Sequence, residues 1–227
     1  MNTAIIVAAG RGSRFGSDTP KQFLNLLGKP VIAHTLERFE RCRSINSIVL
    51  VVADEYVEKI DDLVERGSYS KLDGVVAGGR TRAESVSRGL DAAAVETKFV
   101  AVHDGARPLV TASEIDRTVA AAEGSGAACL VAEVTDTIKR VDGDRIVETV
   151  PRSVLRRALT PQAFEIELLR RALQLSDLDD TITDECMAVE RLGAEIAIVE
   201  GSPRNIKITH ADDLAIAEMY LGRGDID

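Results

Sequence analysis

The sequence predicts an α/β fold: an open, mostly parallel, twisted sheet with helices on both faces. Short runs rich in β-branched residues alternate with longer stretches whose apolar residues recur at every third or fourth position. The runs are apolar at successive positions, which is typical of parallel strands buried on both faces. Strands separated by helices wind into one layered sheet, and no linker or repeat divides the chain, so we expect a single domain over residues 1–227.

Six apolar runs predict the strands of this sheet, and five amphipathic stretches predict its helices. The predicted strands are Ala4–Ala8, Ile48–Ala53, Gly74–Ala77, Phe99–His103, Ala128–Ala132 and Ile196–Val199. The predicted helices are Pro30–Cys42, Glu55–Arg66, Arg80–Ala94, Thr111–Glu123 and Phe164–Gln174. Val86, Leu90 and Ala93 show the helical spacing, because they would share one face of the third helix.

Residues 135–151 break this rhythm and predict a β-hairpin arm inserted in the α/β chain. Two alternating segments flank Asp142-Gly143-Asp144, a sequence that favours a hairpin turn. A two-stranded hairpin with few apolar residues is barely stable by itself, so the arm must pack against something. The pattern leaves two options open: packing on its own domain, or on a partner subunit.

The composition excludes several classes of protein. The chain has 28 Lys and Arg against 37 Asp and Glu, and its net charge of −9 argues against a nucleic-acid partner bound through phosphates. No apolar run approaches the roughly 20 residues of a membrane span, and the first residues lack a basic signal segment, so we expect no membrane partner and a cytoplasmic location. The scattered Cys42, Cys129 and Cys186 and the three histidines have no metal-ligand spacing, and we expect the cysteines to be buried.

The first functional signal follows the first predicted strand. Residues 8–16 (AAGRGSRFG) form a glycine-rich loop at the carboxyl edge of the sheet, where α/β proteins bind nucleotides. The loop is not a P-loop, because no Gly-Lys-Ser/Thr closes it. It does not fit the dinucleotide fingerprint either, because its third glycine comes one residue late and Pro20 interrupts the expected helix. A plain structural turn is the remaining alternative.

Clustered cations favour a phosphate ligand for this loop. Arg11, Arg14 and Lys21 crowd into residues 11–21 of an acidic chain, and Pro20 fixes the backbone before Lys21. Nucleotidyl transfer depends mainly on positioning and on positive charge at the phosphate oxygens, usually with a divalent metal. The sequence therefore favours a transferase that acts on a nucleoside triphosphate.

Two later strand ends bring further polar residues to the same edge. Asp104 and Arg107, in the segment DGARP, suit Mg²⁺ or a substrate hydroxyl, and an Asp–Arg ion pair in a turn is the alternative. Gly79 and Ser85 occupy the turn after the third predicted strand, where backbone N–H groups and a hydroxyl suit a base or a phosphate. A helix N-cap at Thr81 explains that second pattern equally well.

These segments belong to a set of motifs that resembles one family. In chain order the motifs are Ala8-Ala9-Gly10-x-Gly12-x-Arg14, Pro20-Lys21-Gln22-Phe23, Gly78-Gly79-x-x-Arg82-x-x-Ser85-Val86, Val102-His103-Asp104-x-Ala106-Arg107-Pro108, Asp136-Thr137-Ile138-Lys139, Thr160-Pro161-Gln162, Thr183-Asp184-Glu185 and Asn205-Ile206-Lys207. The chain resembles the 2-C-methyl-D-erythritol 4-phosphate cytidylyltransferases of non-mevalonate isoprenoid biosynthesis over nearly its whole length. Any one motif is weak evidence, whereas eight in register are specific.

The resemblance implies a CTP-dependent nucleotidyltransferase with a Rossmann-like fold. A phosphate oxygen of methylerythritol phosphate would attack the α-phosphorus of CTP, which yields 4-diphosphocytidyl-2-C-methyl-D-erythritol and pyrophosphate. It also implies Mg²⁺, or another divalent cation, bound mainly through the CTP phosphates, with Asp104 as a candidate ligand. A homodimer in which the hairpin arm swaps between subunits is implied as well.

The resemblance also assigns roles to individual residues. Arg14 and Lys21 would be catalytic, and Arg152 and Lys207 would position the substrate phosphate. The residues that would bind the methylerythritol side are Asp104, Arg107, Thr137, Thr160 and Thr183. The residues that would bind the nucleotide are Ala8, Ala9, Gly10, Gly12, Gly79, Arg82, Ser85 and Asp104. Thr137, Arg152 and Thr160 would complete the neighbouring subunit's site.

Residue patterns alone do not select every one of these positions. They favour a solvated strand end for Lys207 and a solvated face for Arg152, and Arg80 stands where some family members carry an acidic residue. A ribitol-5-phosphate cytidylyltransferase would share the fold, although Thr160-Pro161-Gln162 and Thr183-Asp184-Glu185 look more like the methylerythritol enzymes. A non-catalytic nucleotide-binding regulator is the other alternative, and loss of Arg14 or Lys21 would favour it.

Overall fold

A computed structural model describes residues 1–10, 19–60, 69–175 and 182–223. The strands in this part of the chain are β1 Asn2–Ala8, β2 Asn25–Leu26, β3 Lys29–Pro30, β4 Ser47–Val52, β5 Leu72–Ala77, β6 Phe99–Asp104, β7 Ala127–Glu133, β8 Ile138–Asp142, β9 Arg145–Val150, β10 Arg156–Glu165 and β11 Ala197–Glu200. The α-helices are α1 Val31–Arg41, α2 Arg82–Ala92, α3 Ala112–Ser125, α4 Ile166–Gln174, α5 Glu185–Glu190 and α6 Ala211–Gly222.

Seven strands form one open sheet in the order β11-β7-β10-β6-β1-β4-β5. β1 pairs in parallel with β4 and β6, β4 pairs in parallel with β5, and β7 pairs in parallel with β11. Only β10, which lies between β6 and β7, runs antiparallel to its neighbours in this sheet. The predicted open, mostly parallel sheet is confirmed.

Helices cover both faces of the sheet, because its central strands are apolar on both sides. Ile5 and Ile6 of β1 are fully buried and belong to different core clusters. Ile6 shares its cluster with Phe39 of α1 and with residues of α3, whereas Ile5 shares the other with Val86 of α2 and with residues of α4 and α5. This two-sided burial is the reason that the strands read as continuous apolar runs.

The strand β10 is absent from the predicted elements, and its last residues were predicted to be helical. The predicted helix Phe164–Gln174 begins only at Ile166. Pro161 lies inside β10, where a proline normally argues against a central strand because it has no N–H to donate. The ladder with β7 is interrupted between Ala158 and Gln162, and Pro161 sits in that irregularity.

A second predicted helix, Glu55–Arg66, is wrong in the part that the structure describes. Short 3₁₀ turns occur there at Asp54–Tyr56 and Glu58–Ile60, and residues 61–68 lie outside the described residues. The first turn places the ring of Tyr56 on the ring of Phe23, with 4.4 Å between the centroids. The backbone at this turn therefore follows a tertiary contact and not the helix that the apolar period predicts.

The predicted hairpin arm is confirmed as a separate two-stranded sheet of β8 and β9. Its turn contains Gly143 at φ 56°, in the left-handed region that glycine adopts without strain. Val141 and Ile146 are 60% and 67% exposed, so the arm leaves apolar surface uncovered. Elsewhere in the described chain the three cysteines are buried, as predicted, and no helix is both long and apolar enough to cross a membrane.

Candidate active site

A cavity of about 240 Å³ opens at the carboxyl ends of β1 and β6 and beside the turn after β5. Parallel strands end at the same edge of a sheet, which is why residues far apart in sequence meet there. The described residues that line it are Val7, Ala8, Ala9, Gly10, Lys21, Gln22, Gly79, Arg80, Thr81, Arg82, Ser85, Asp104, Ala106, Lys207 and Thr209. The predicted meeting of the start of the glycine-rich loop (residues 8–10), the Gly79 turn and Asp104 is confirmed.

The turn between β5 and α2 is held by two hydroxyl groups. Thr81 caps α2, since its side chain accepts a hydrogen bond from the N–H of Glu84 at 3.1 Å. The Ser85 hydroxyl accepts from the N–H of Gly79 at 3.0 Å and donates to the Thr81 carbonyl at 2.9 Å. The N-cap interpretation of Thr81 is therefore confirmed. Ser85 both lines the cavity and holds the turn that forms its wall.

Gly78 lets this turn pack directly on the glycine-rich loop. A Cβ atom at residue 78 would lie 2.3 Å from the Cβ of Ala9, a distance that side chains do not tolerate. The two segments expected to face a nucleotide thus form adjoining walls of one cavity.

Asp104, at the end of β6, is surrounded by cations. Its carboxylate is 2.9 Å from Lys207 Nζ, 3.2 Å from Arg82 Nε and 3.4 Å from Arg107 Nε. Burial would raise the pKa of Asp104, but Arg82, Lys207 and Arg107 outweigh it and hold that pKa well below its usual range. Asp104 is therefore a fixed negative charge at neutral pH.

Arg82 is held between two carboxylates. Its Nε donates to Asp104, and its Nη1 donates to Oε1 of the fully buried Glu185 at the start of α5. Burial would lower the pKa of Arg82, but Glu185 and Asp104 raise it above the usual value. The guanidinium thus joins α2, β6 and α5 at the cavity wall.

A buried chain of hydrogen bonds supports Asp104 from below. The backbone N–H of Asp104 donates to the Thr160 hydroxyl at 3.1 Å, and Thr160 Oγ1 lies 3.0 Å from Nδ1 of His103. His103 Nε2 lies 3.1 Å from the Arg107 carbonyl, which accepts from it. Burial lowers the pKa of His103 to about 4, so the ring is neutral at pH 7.

Most of the residues predicted to form the site meet at the cavity. Those that line it are Ala8, Ala9, Gly10, Lys21, Gly79, Arg82, Ser85, Asp104 and Lys207. Arg107 lies behind Asp104, where the ion pair given as an alternative does form. The interpretation of Lys207 as a solvated strand end is wrong, because its ammonium group pairs with Asp104.

Other predicted residues lie elsewhere. Thr137 and Arg152 are exposed at the two ends of the arm, and Arg152 donates to the carbonyl of Thr135. Thr183 is exposed beside Met187, and it is not among the described residues that line the cavity.

Thr160, which the resemblance places in a neighbouring subunit's site, is 4% exposed, and its hydroxyl is used beneath Asp104 of its own chain. Arg11, Gly12 and Arg14 lie outside the described residues.

Sequence patterns did not single out several residues of the site. Gln22 and Glu185 stand inside recognised motifs, and that was the available signal for them. Arg80, which stands where some family members carry an acidic residue, lines the cavity. Thr209 lines it too, and nothing in the pattern around Thr209 distinguishes it from a surface threonine.

The described residues do not form a cage for a metal ion. Within this part of the chain, no group of three or more His, Cys, Asp or Glu side chains is placed to hold one. Both oxygens of Asp104 already face cationic donors, which does not favour this carboxylate as a ligand. The donor set suits a metal that arrives with substrate phosphates.

Comparison with known proteins decides the family. The family model for 2-C-methyl-D-erythritol 4-phosphate cytidylyltransferase matches residues 2–223. The chain belongs to this family. A cytidylyltransferase of the same name from Halalkalibacterium halodurans is 42% identical over 220 residues, which cover 96% of each chain.

Solved structures agree with this assignment. The 4-diphosphocytidyl-2C-methyl-D-erythritol synthase of Anaerococcus prevotii superposes with a TM-score of 0.85 at 28% identity, covering 98% of this chain and 96% of that one. The 2-C-methyl-D-erythritol 4-phosphate cytidylyltransferase of Thermus thermophilus gives 0.73 at 32% identity, covering 96% and 98%.

This cytidylyltransferase is thus a CTP-dependent nucleotidyltransferase. It converts methylerythritol phosphate and CTP to 4-diphosphocytidyl-2-C-methyl-D-erythritol and pyrophosphate in the non-mevalonate pathway to isoprenoids. The prediction of family and activity is confirmed, and the ribitol-5-phosphate enzyme and the non-catalytic regulator are the less favoured alternatives.

Proposed function

We propose that this cytidylyltransferase joins its two substrates inside the cavity, with CTP against the glycine-rich loop and the Gly79 turn, and methylerythritol phosphate beside Asp104 and Lys207. One observation carries the proposal: the described lining contains four cations and one carboxylate, although the whole chain has a net charge of −9. The cations are Lys21, Arg80, Arg82 and Lys207. Focused positive charge in an acidic protein suits two phosphorylated substrates.

Lys21 acts in this proposal by stabilising charge in the transition state. The α-phosphorus gains negative charge on its oxygens as the substrate phosphate attacks in line and pyrophosphate leaves. Lys21 lies at the start of a 3₁₀ turn and lines the cavity. Arg14 is proposed to act with it.

The role of Lys21 can be tested by substitution. Lys21→Ala should lower kcat on the order of 100-fold and change the KM for CTP much less, because the contact strengthens as charge develops. Lys29→Ala is the matched control, since Lys29 pairs with Glu37 outside the described cavity lining and its loss should leave kcat unchanged. Steady-state pyrophosphate release measures both, and a Lys21→Ala enzyme with normal kcat would contradict the role.

The second substrate is proposed to bind through Asp104, Arg107 and Lys207. Asp104 would accept a hydroxyl group of the polyol, because its charge is fixed by three cations. Lys207 is 36% exposed and can turn from Asp104 to the incoming phosphate, which it would hold for attack. Thr183, exposed near the start of α5, is proposed to contact the same substrate.

A divalent cation, Mg²⁺ or another, is proposed to enter with CTP and to be held mainly by its phosphate oxygens. Bound in this way it would neutralise charge on the triphosphate and on the departing pyrophosphate. The protein's own part is to present Lys21 and the loop backbone to the same phosphates.

The arm is proposed to swap between two copies of this chain. Each copy would be a single nucleotidyltransferase domain over residues 1–227 and would extend its arm, residues 135–151, to the other copy. Thr137 and Arg152 would then complete the other copy's site. The supporting observation is the exposed apolar surface of a hairpin that pairs with no strand of the central sheet among the described residues. A cytoplasmic location is part of the same proposal.

Substrate choice is tested by an activity panel. The four nucleoside triphosphates are each combined with methylerythritol phosphate, ribitol 5-phosphate and glycerol 3-phosphate, and pyrophosphate release is measured. The expected result is turnover of CTP with methylerythritol phosphate well above every other pair. Turnover with ribitol 5-phosphate alone would overturn the substrate assignment.

A further inference from the structure

We propose that Gln22 is a positioning residue that sets the place of Lys21 relative to the glycine-rich loop. Gln22 is 2% exposed and follows Lys21 in the turn Lys21–Phe23. Its side-chain Nε2 donates to the carbonyl of Ala8 at 2.6 Å and to the carbonyl of Gly10 at 3.1 Å. This inference rests on the catalytic role proposed for Lys21.

The two hydrogen bonds use both donors of one primary amide. Ala8 is the last residue of β1, and both Ala8 and Gly10 line the cavity together with Lys21. The Gln22 side chain therefore ties the turn that carries Lys21 to the end of the central strand.

A second anchor holds the same turn from its other side. The ring of Phe23 stacks on Tyr56 with an interplanar angle of 14°, and the N–H of Phe23 donates to the Pro20 carbonyl at 2.9 Å. Successive residues thus fasten the turn in two directions: Gln22 to the cavity wall, and Phe23 to the turn after β4. Lys21 directly precedes both anchors.

Such fastening matters because lysine is a point charge on a flexible side chain. Stabilisation of a transition state depends on donor placement within tenths of an ångström, and a displacement of about 1 Å can cost about 100-fold in rate. Loss of the Gln22 hydrogen bonds would leave Lys21 present, with its turn held only from the side of Phe23. The expected defect lies in kcat rather than in substrate binding.

A double-mutant cycle tests whether Gln22 acts through Lys21. Gln22→Met keeps the length of the side chain and removes both donors. It should lower kcat about tenfold in the wild-type background, with less than about a threefold change in the KM for CTP, and lower kcat by less than about twofold in the Lys21→Ala background. An equal tenfold loss in both backgrounds would overturn the inference, since Gln22 would then act independently of Lys21. A Lys21→Ala enzyme with full kcat would instead refute the role of Lys21, a result visible before any Gln22 variant is made.

Two further variants separate positioning from loss of stability. Val119→Ala removes buried methyl groups from α3, away from the described cavity lining, and should lower the melting temperature without changing kcat. Gln22→Asn keeps the amide but is one methylene shorter, so it provides a second cycle should Gln22→Met fail to fold. Its kcat should lie between those of wild type and Gln22→Met. A Gln22 variant that loses stability but keeps wild-type kcat would contradict the proposal.

Discussion

Replacing Asp104 with asparagine tests whether the cations of the site are held by one buried charge. Asparagine has nearly the same shape as aspartate but carries no charge. Asp104 is 7% exposed, and three cationic nitrogens lie within 3.4 Å of its carboxylate. Asp104→Asn therefore leaves these cations in place without the carboxylate that balances them.

The three cations would not contribute equally to the loss. Lys207 is 36% exposed and can turn to water, so its share falls in the range of about 0–1 kcal/mol that is typical of exposed pairs. Arg82 keeps Glu185, and Arg107 keeps a hydrogen bond to the Asn205 carbonyl. Breaking a buried ion pair by removing one partner costs about 3–5 kcal/mol. Since two of the cations keep a partner, we expect the lower end, about 3 kcal/mol of unfolding free energy.

Urea unfolding at pH 7 measures this difference. The pKa of Asp104 is lowered in the folded protein, so its contribution is complete above the ordinary carboxyl pKa and is lost as the pH falls below it. The difference between wild type and Asp104→Asn should therefore shrink in acid. Glu148→Gln, which removes an exposed pair with Arg140 on the arm, is the control and should cost less than about 0.5 kcal/mol. A loss for Asp104→Asn no larger than that of the control would refute the reasoning.

Three further predictions concern the buried histidine, the arm and two glycines. Folded His103 has a pKa of about 4 against an ordinary 6.5, so the unfolded chain binds the proton first. The unfolding free energy should therefore fall by about 3 kcal/mol as the pH drops from 6.5 to 4. Urea titrations at several pH values measure this fall, and an unchanged slope in His103→Gln would speak against this explanation. Ile146→Lys on the arm should give a monomer whose activity is at least about tenfold lower. Val95→Lys, at a 94% exposed position outside the arm, should change neither the oligomeric state nor the activity. Light scattering and pyrophosphate release measure these two properties, and a fully active monomer would rule out the swapped arm. Gly89→Ala should destabilise the protein by about 1–3 kcal/mol, because its Cβ would lie 2.5 Å from Ile5 Cγ2. In Gly124→Ala, in α3, the new Cβ meets nothing within 4 Å and should stabilise the protein by about 0.5–1 kcal/mol. The thermal unfolding temperatures of the two variants should therefore shift in opposite directions.

The parallel part of the sheet was predictable because its strands are buried on both faces. Each of the six predicted strands occurs with its ends within two residues of the predicted ones. The antiparallel β10 was missed, since Arg156, Arg157 and Pro161 hide it from any pattern of continuous apolar residues. Its place between β6 and β7 depends on pairing with strands far away in the sequence.

The site divides in the same way. Residues at the ends of β1 and β6 were predictable, because topology sends every parallel strand end to one edge. The contact of Arg82 with Glu185 spans 103 positions in sequence, and that of Arg107 with the Asn205 carbonyl spans 98. No local sequence pattern contains such pairs. In the same way, the motif resemblance named Lys207, but only the fold shows that it contacts Asp104.

The order of residues along the chain was enough to determine the α/β class, the hairpin arm and the family, and it predicted the cations that would bind phosphate. The tertiary structure decided that Thr160 supports its own site, that Ser85 holds the Gly79 turn, and that one buried carboxylate balances three cations. The physical reason is the separation in sequence of the residues involved. The apolar period of a strand or helix and its capping residues are written within one short segment, whereas charge balance in a cavity depends on which distant segments the sheet brings together.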